Sequence, residues 1–388
     1  MKKGWEVKNL EKCINKTTYA NKIQRKNFLE KGNYPIVSQE KEIINGYWDN
    51  PKDLFKIKEP VIAFGDHTRI IKYIDFDFVL GADGVKVLQP NEVINSKYLY
   101  YYLKNIDLGN LGYARHYRIL KEKNIYFPTS IEEQKRIVAI LDKAFAAIDK
   151  AKENAQKNLK NAKELFESYL QEVFENKGSD WEEKTIQKVA KVINGFAFAS
   201  KDFNPTNTVK SIKITNVGVK EFVEEMNNYL PEKFKETLKE VKVKEGNIVI
   251  ALTRTIIAAG LKVAVIPASY DGALLNQRVA AIATDGNVIN QRYLYNFLIT
   301  DVVKKYVLNH VNILMQPNLS INDLKNLLVP CPSLKKQNEI VQKLDQLQEK
   351  TKALETIYQQ KLANLEELKK SILQKAFNGE LSNNANLV

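Results

Sequence analysis

Cysteine and histidine are scarce in this chain: 388 residues hold two Cys, Cys13 and Cys331, and three His, His67, His116 and His310. Two thiols cannot build a disulfide framework or a four-thiolate zinc site, and the Cys/His spacing of a zinc cluster is absent. A reduced, cytoplasmic setting without a metal is therefore expected. Long apolar runs are missing as well. Stretches such as Ile248–Leu252 and Val263–Pro267 fall far short of the ~20 residues that span a bilayer, so no membrane contact is expected. The start, MKKGWEVKNLEK, carries charge with no apolar core behind it, and no signal peptide is expected. Catalytic signatures are equally lacking: there is no G-x-x-x-x-G-K-[ST] loop, no H-E-x-x-H and no G-x-S-x-G. Each His reads as a surface or hydrogen-bonded polar residue.

What the chain does have is charge and internal repetition. Lys and Arg number 59 against 46 Asp and Glu, a net charge of +13. With 44% hydrophobic and 27% charged residues the composition is that of a globular protein, and the length suits two or more domains. The excess is uneven: residues 1–129 hold 22 basic and 15 acidic side chains and residues 180–332 hold 19 and 15, whereas residues 130–179 balance at nine and nine. Residues 333–388 hold nine and seven. A polyanion would meet the blocks that carry the excess, although net charge alone mostly sets solubility.

Shifting the sequence by 203 residues lays Ile131–Glu175 on Leu334–Asn378 without a gap and with 14 identities, among them Gln134/Gln337, Leu141/Leu344, Leu165/Leu368 and Phe174/Phe377. Asn95–Leu103 echoes Asn290–Leu298, and Gly4-Trp5-Glu6 echoes Asp180-Trp181-Glu182. Two copies of so long a unit are too few for a solenoid and point to pseudo-twofold symmetry within one chain. Each half is a variable block followed by a helical block: residues 1–129 and 130–179, then 180–332 and 333–378, with 379–388 as a tail.

The helical blocks hold no Gly or Pro before Gly178 in the first and Gly379 after the second. Apolar or small residues recur at Leu141, Ala144, Ile148, Ala151, Ala155, Ala162, Leu165 and Tyr169 in the first block. In the second they recur at Leu344, Leu347, Leu354, Tyr358, Leu365, Leu368 and Ile372. Steps of three and four, with polar misses at Asn158, Thr351 and Lys361, make this a heptad seam, and Ser130 with Glu133 supplies a capping box at the first start. A helix of this length is ~65 Å long and cannot bury its seam alone. Packing on its own globular block or on another molecule would serve, but the other copy matches it in length and phase, and antiparallel pairing spares the chain a long return. The variable blocks read as mixed α/β, with buried strands at Val61–Phe64, Asn247–Leu252 and Arg278–Ala283, turns such as Asp83-Gly84 and Asp271-Gly272, and short helices from Tyr98 and Tyr293. The fold class is α+β: two mixed α/β domains separated by two long helices paired as an antiparallel coiled coil.

The junctions carry a family resemblance. Ile125-Tyr-Phe-Pro128 leads into Ile131-Glu-Glu-Gln-Lys-Arg-Ile-Val-Ala-Ile-Leu-Asp142, and Leu327-Leu-Val-Pro330 into Leu334-Lys-Lys-Gln-Asn-Glu-Ile-Val-Gln-Lys-Leu-Asp345. With Asn194–Phe203 and Leu275–Ala280, this twice-used pattern resembles the specificity subunits of type I restriction-modification systems along nearly the whole chain. The resemblance implies a non-catalytic reader of double-stranded DNA. Each variable block would be a target-recognition domain for one half of a bipartite, asymmetric site, with the helices as spacer. It also implies two modification subunits as partners, optional restriction subunits, and S-adenosylmethionine on the modification subunit rather than on this chain. The Asn/Asp-Pro-Pro-aromatic motif of adenine methyltransferases is absent: Pro317 stands between Gln316 and Asn318. A scaffold or stand-alone specificity protein of another phage-defence system is the alternative reading.

Residue type and loop position select the candidate DNA contacts, since Arg reaches guanine O6/N7 and Asn and Gln pair with adenine. In the first block these are His67, Thr68 and Arg69, then Arg115 and Arg118 in the basic, aromatic stretch Tyr113–Arg118. In the second they are Thr253, Arg254 and Thr255, then Asn276, Gln277 and Arg278, and finally Gln316 and Asn318. A solvated loop or a structural hydrogen bond is an equal reading of any one of them, and the better reading of Asn276–Arg278, whose motif is shared within the family. Arg69 and Arg254 stand out because each follows a buried strand. Phe196 and Phe198 read as core. For partner docking the helix ends are favoured, through Phe166, Leu170, Phe174, Ile372 and Phe377.

Overall fold

The computed structural model describes residues 2–18, 21–82, 84–109, 112, 114–226, 229–310 and 318–382. Asp83 of one expected turn, Tyr113 of the basic stretch and Gln316 lie outside them. The chain divides into two compact units, Met1–Lys157 with Tyr358–Val388, and Asn158–Ile357. The division falls inside both long helices, Ile131–Glu175 and Leu334–Phe377, so each unit owns the start of one helix and the end of the other.

In the first unit, Trp5–Asn9 pairs antiparallel with Asn124–Pro128, the strand that feeds the first long helix. A four-stranded antiparallel sheet follows in the order Ile14–Asn15, Val85–Pro90, Val61–Gly65, Ile71–Ile74. A second, mixed sheet orders Lys22–Ile23, Phe78–Gly81, Tyr34–Val37 and Gly46–Trp48, with Tyr34–Val37 parallel to Phe78–Gly81. The second unit repeats the plan. Glu182–Thr185 pairs with Leu328–Cys331 ahead of the second long helix. The order Ala190–Asn194, Val279–Thr284, Ile248–Ala251, Val263–Val265 matches the first unit's antiparallel sheet. Val209–Ile212 runs parallel to Leu274–Leu275. The β-branched runs Val61–Gly65 and Ile248–Ala251 are buried along their whole length because they occupy interior positions of their sheets.

The short helices Ser96–Asn105 and Gln291–Leu298 are capped by Asn95 and Asn290, whose side chains accept the first free N–H groups. Each lies against a long helix and is locked to it by one buried glutamine. Gln134 Oε1 accepts the Asn95 N–H at 2.7 Å, and its Nε2 donates to the carbonyls of Val93 and Pro128 at 3.1 and 2.8 Å. Gln337 does the same with Asn290, Val288 and Pro332 at 2.7, 3.3 and 2.9 Å. Both glutamines are fully buried, so the repeat's shared Gln is a joint between head and helix.

Within the first unit the two helices run antiparallel: Asp149 pairs with Lys369 at 3.2 Å, while Lys152, further along, pairs with Glu366, further back. Leu141, Phe145 and Ile148 share a core with Leu373, Ala376 and Phe377. In the second unit Leu170 and Phe174 share a core with Ile340, Val341 and Leu344. The expected seam is half corrected. Leu141, Ile148, Ala155 and Ala162 are buried as expected. At the alternate positions Phe145 is buried and Lys152, Leu159 and Phe166 are half-buried; the expected Ala144 and Ala151 are half-buried too, Asn158 is exposed and Leu165 is 49% exposed. On the partner helix Leu354 and Leu368 are likewise exposed, while Glu355, Leu362 and Lys369 are half-buried. The helix turns its large aromatics and long aliphatic stems inward, since these cover more apolar surface than Ala or Asn. Among the described residues no helix is long and apolar enough to cross a membrane.

Candidate nucleic-acid interface

The buried strand of each unit ends in a tip built the same way. In the first unit Asp66, 4% exposed, follows Val61–Gly65. Its N–H donates to the Gly84 carbonyl at 2.6 Å, and its carbonyl accepts the N–H of His116 at 2.9 Å. Its carboxylate Oδ1 accepts the N–H of Tyr117 at 2.7 Å. In the second unit Leu252 follows Ile248–Ala251; its N–H donates to the Arg278 carbonyl and its carbonyl accepts the N–H of Leu319, each at 2.9 Å. Three segments distant in sequence thus meet at each tip: the hairpin, the residue before the neighbouring strand, and the stretch ahead of the last short helix. A rigid sheet holding exposed loop side chains is a common basis for a binding surface.

Most of the candidate contacts are gathered there. In the first unit Thr68, Arg69, Arg115 and Arg118 are exposed and His67 is half-buried. His116, between the two arginines' positions, is fully buried and anchors them. Arg69 Nη1 donates to the Gly109 carbonyl at 2.6 Å, and Thr68 Oγ1 donates to the Gln39 carbonyl at 2.6 Å, so that hydroxyl is engaged within the fold. In the second unit Arg254, Gln277, Arg278 and Asn318 are exposed and Thr253 is half-buried. Arg254 N–H donates to Asn318 Oδ1 at 3.3 Å. Thr255 departs from the expectation: it is fully buried, and its Oγ1 accepts the Leu319 N–H at 3.4 Å, which makes it a support of the tip.

Among the described residues three other than Gly have positive φ: Arg69 at 61°, Lys220 at 62° and Arg254 at 49°. Two of them are the tip arginines. A left-handed residue with a side chain costs about 1 kcal/mol or more and persists where the surroundings impose it, often at functional positions.

Two lysines, Lys72 buried and Lys262 half-buried, brace the tips. Lys72, 4% exposed, donates to the Glu42 carbonyl and to Asn45 Oδ1, tying the loop after Tyr34–Val37 to the hairpin. Burial pushes its pKa down to about 8, against the opposing pull of Glu42. Lys262 donates to the Ile214 carbonyl at 2.8 Å, and its pKa is lowered by burial and then by the nearby Arg254. A lone Lys carries no signal of burial in the sequence. Phe196, read from the sequence as core, is 42% exposed beside Gln277, whereas Phe198 is buried.

The expected docking residues serve the units' own cores. Leu170, Phe174 and Phe377 are buried, while Phe166 and Ile372 pack half-buried against the same clusters. Phe174 sits against Tyr293 and Phe297 at 5.2 and 5.4 Å, and Phe377 against Tyr98 and Tyr102 at 5.4 and 4.9 Å. The short helices cover Phe174 and Phe377, while Phe166 and Ile372 keep part of their surface exposed. Exposed apolar side chains on the long helices are instead Leu165, Leu354, Ile357 and Leu368. Among the described residues no group of His, Cys, Asp and Glu is arranged to hold a metal ion.

The model of one protein family, the type I restriction modification DNA specificity domain, matches residues 2–160 and 178–366. The specificity subunit of the type I restriction enzyme MjaVIII of Methanocaldococcus jannaschii is 27% identical over 322 residues, covering 78% of this chain and 74% of that protein. The EcoBI specificity subunit of Escherichia coli is 24% identical over 372 residues, covering 88% and 76%. Among solved structures, a chain from work on assembly and conformational transition of the type I R-M system aligns with a TM-score of 0.70 at 17% identity, covering 97% of this chain and 98% of that one. The HsdS subunit from Thermoanaerobacter tengcongensis aligns with a TM-score of 0.63 at 18% identity, covering 98% of each chain.

Proposed function

The chain belongs to the type I restriction-modification DNA specificity family, and from that premise we propose that its two units are target-recognition domains, each reading one half of a bipartite, asymmetric DNA site. The family is a non-catalytic one, so methyl transfer and cleavage fall to other subunits. The observation that carries the reading is the repeated tip: a buried strand leads in each unit to a strained, exposed arginine, Arg69 or Arg254, beside other segments that bear Arg115 and Arg118 in the first unit and Gln277, Arg278 and Asn318 in the second. Arginine on a rigid tip suits both phosphate contact and bidentate reading of guanine. The loops differ in sequence, so the two half-sites should differ.

The long helices serve as spacer between the half-sites and as landing place for two modification subunits, which bring S-adenosylmethionine; restriction subunits are an optional addition. The complex works on DNA in the cytoplasm. Leu165 and Leu368 occupy equivalent positions of the repeat and are both exposed, which suits two like partners. Methylome sequencing of a host with and without this gene tests the reading. One bipartite adenine motif should depend on it; a methylation pattern indifferent to the gene would refute it.

A further inference from the structure

Phe196 stands where a core residue was expected and is not one. It follows the strand Ala190–Asn194 and Gly195. Its N–H donates to the Leu275 carbonyl and its carbonyl accepts the Gln277 N–H, both at 2.9 Å. Any side chain at Gly195 would collide with the backbone carbonyl of Asn276, so only glycine permits this close approach. The backbone of Phe196 is therefore fixed alongside Asn276, next to the exposed Gln277 and Arg278.

The ring is supported from one side. Phe198, 8% exposed, meets it edge-on at 5.2 Å and is itself rooted in a core with Val209, Leu230, Val241 and Leu274. Phe196 itself remains 42% exposed. A single exposed apolar residue is ordinary on a protein surface. This one is held by two backbone hydrogen bonds and a glycine-only contact at the tip that also bears Arg254 and Arg278. Aromatic rings at such positions cover thymine methyl groups or lean on base steps from a groove, and a ring with two side-chain torsions loses little freedom in doing so.

We propose that Phe196 is a DNA-contacting residue of the second recognition unit, its ring burying the apolar edge of a base step while Arg254, Gln277 and Arg278 make the polar and charged contacts. The inference rests on the reading of this tip as a DNA interface. An apolar contact releases no counterions, so it contributes affinity without salt dependence, whereas a phosphate-bound arginine contributes to both.

The test uses the full-length chain and a fluorescent duplex that the wild type, with a modification subunit, selects from a randomised pool. Phe196→Ala should weaken binding about tenfold or more with the slope of log affinity against log salt unchanged, and Phe196→Tyr should restore most of the loss. A p-benzoylphenylalanine replacing Phe196 should crosslink to the duplex, while the same group replacing Leu328, exposed at the helix junction, should not. Binding by Phe196→Ala within twofold of wild type would overturn the proposal. So would lost affinity without a crosslink at position 196, which would make Phe196 a support of the Gln277 loop. Should the wild type enrich no duplex at all, the DNA-reading assignment falls, and this inference with it.

Discussion

Arg69 and Arg254 show what the tips demand of single residues. Each adopts a backbone conformation that glycine would adopt without strain, and each is legible in the sequence as an arginine that follows a buried strand. Arg254→Gly should therefore leave the fold equally stable or more stable, by up to about 1 kcal/mol, while DNA affinity falls and the salt slope shrinks by about 1. Urea denaturation beside anisotropy at several salt concentrations separates the two effects. Lys72 makes a different prediction. Folded, it loses its proton near pH 8; unfolded, it keeps it to the ordinary lysine value near 10.5. Between those values the unfolded chain binds more protons at this position, so the contribution of Lys72 to the first unit's stability rises with pH, by up to about 3 kcal/mol over the window, opposed above pH 9 by Cys13, whose thiol burial pushes up to about 11. Below pH 8 both states are protonated and the contribution is flat. Lys72→Met should abolish the rise, as read from denaturation midpoints between pH 7 and 10.5.

At the scale of elements, the joints and the seam behave differently under reading from sequence. The junction glutamines were visible as the Gln134/Gln337 identity, and capping residues such as Ser130, which accepts the Glu133 N–H at 3.3 Å, were visible from local spacing. The seam was visible in period but not fully in phase. Ala144 and Phe145, or Leu165 and Phe166, are adjacent apolar or small residues, and periodicity alone does not say which of a pair turns inward. The structure turns Phe145 and Phe166 in and leaves Leu165 out. Leu165→Lys and Leu368→Lys should change stability by less than about 0.5 kcal/mol yet each weaken capture of a modification subunit in pull-down from purified components. Leu170→Ala should cost about 2–5 kcal/mol, since Leu170 is fully buried. Equal capture by both lysine variants would remove the exposed stripe as the docking site.

For the whole molecule, the proposed spacer role of the helices has a length consequence. One heptad added to both long helices in phase extends the pair by ~10 Å, or about three base pairs of duplex at 3.4 Å each. Methylome sequencing should then show both half-sites unaltered and the gap between them widened. An unchanged gap would remove the helices as the spacer.

The sequence by itself determined the repeat, the two long helices, the buried central strands and the place of the tip arginines, because periodicity, capping and β-branched runs act over a few residues or one turn. It did not determine that Asp66, Gly84 and His116 meet at one tip, that Thr255 is a buried support, or that Leu170, Phe174 and Phe377 are enclosed while Phe196 is exposed. Those facts depend on which distant segment covers which side chain. Backbone hydrogen bonds across dozens of residues and the packing of short helices on long ones settle that, and only the tertiary fold contains them.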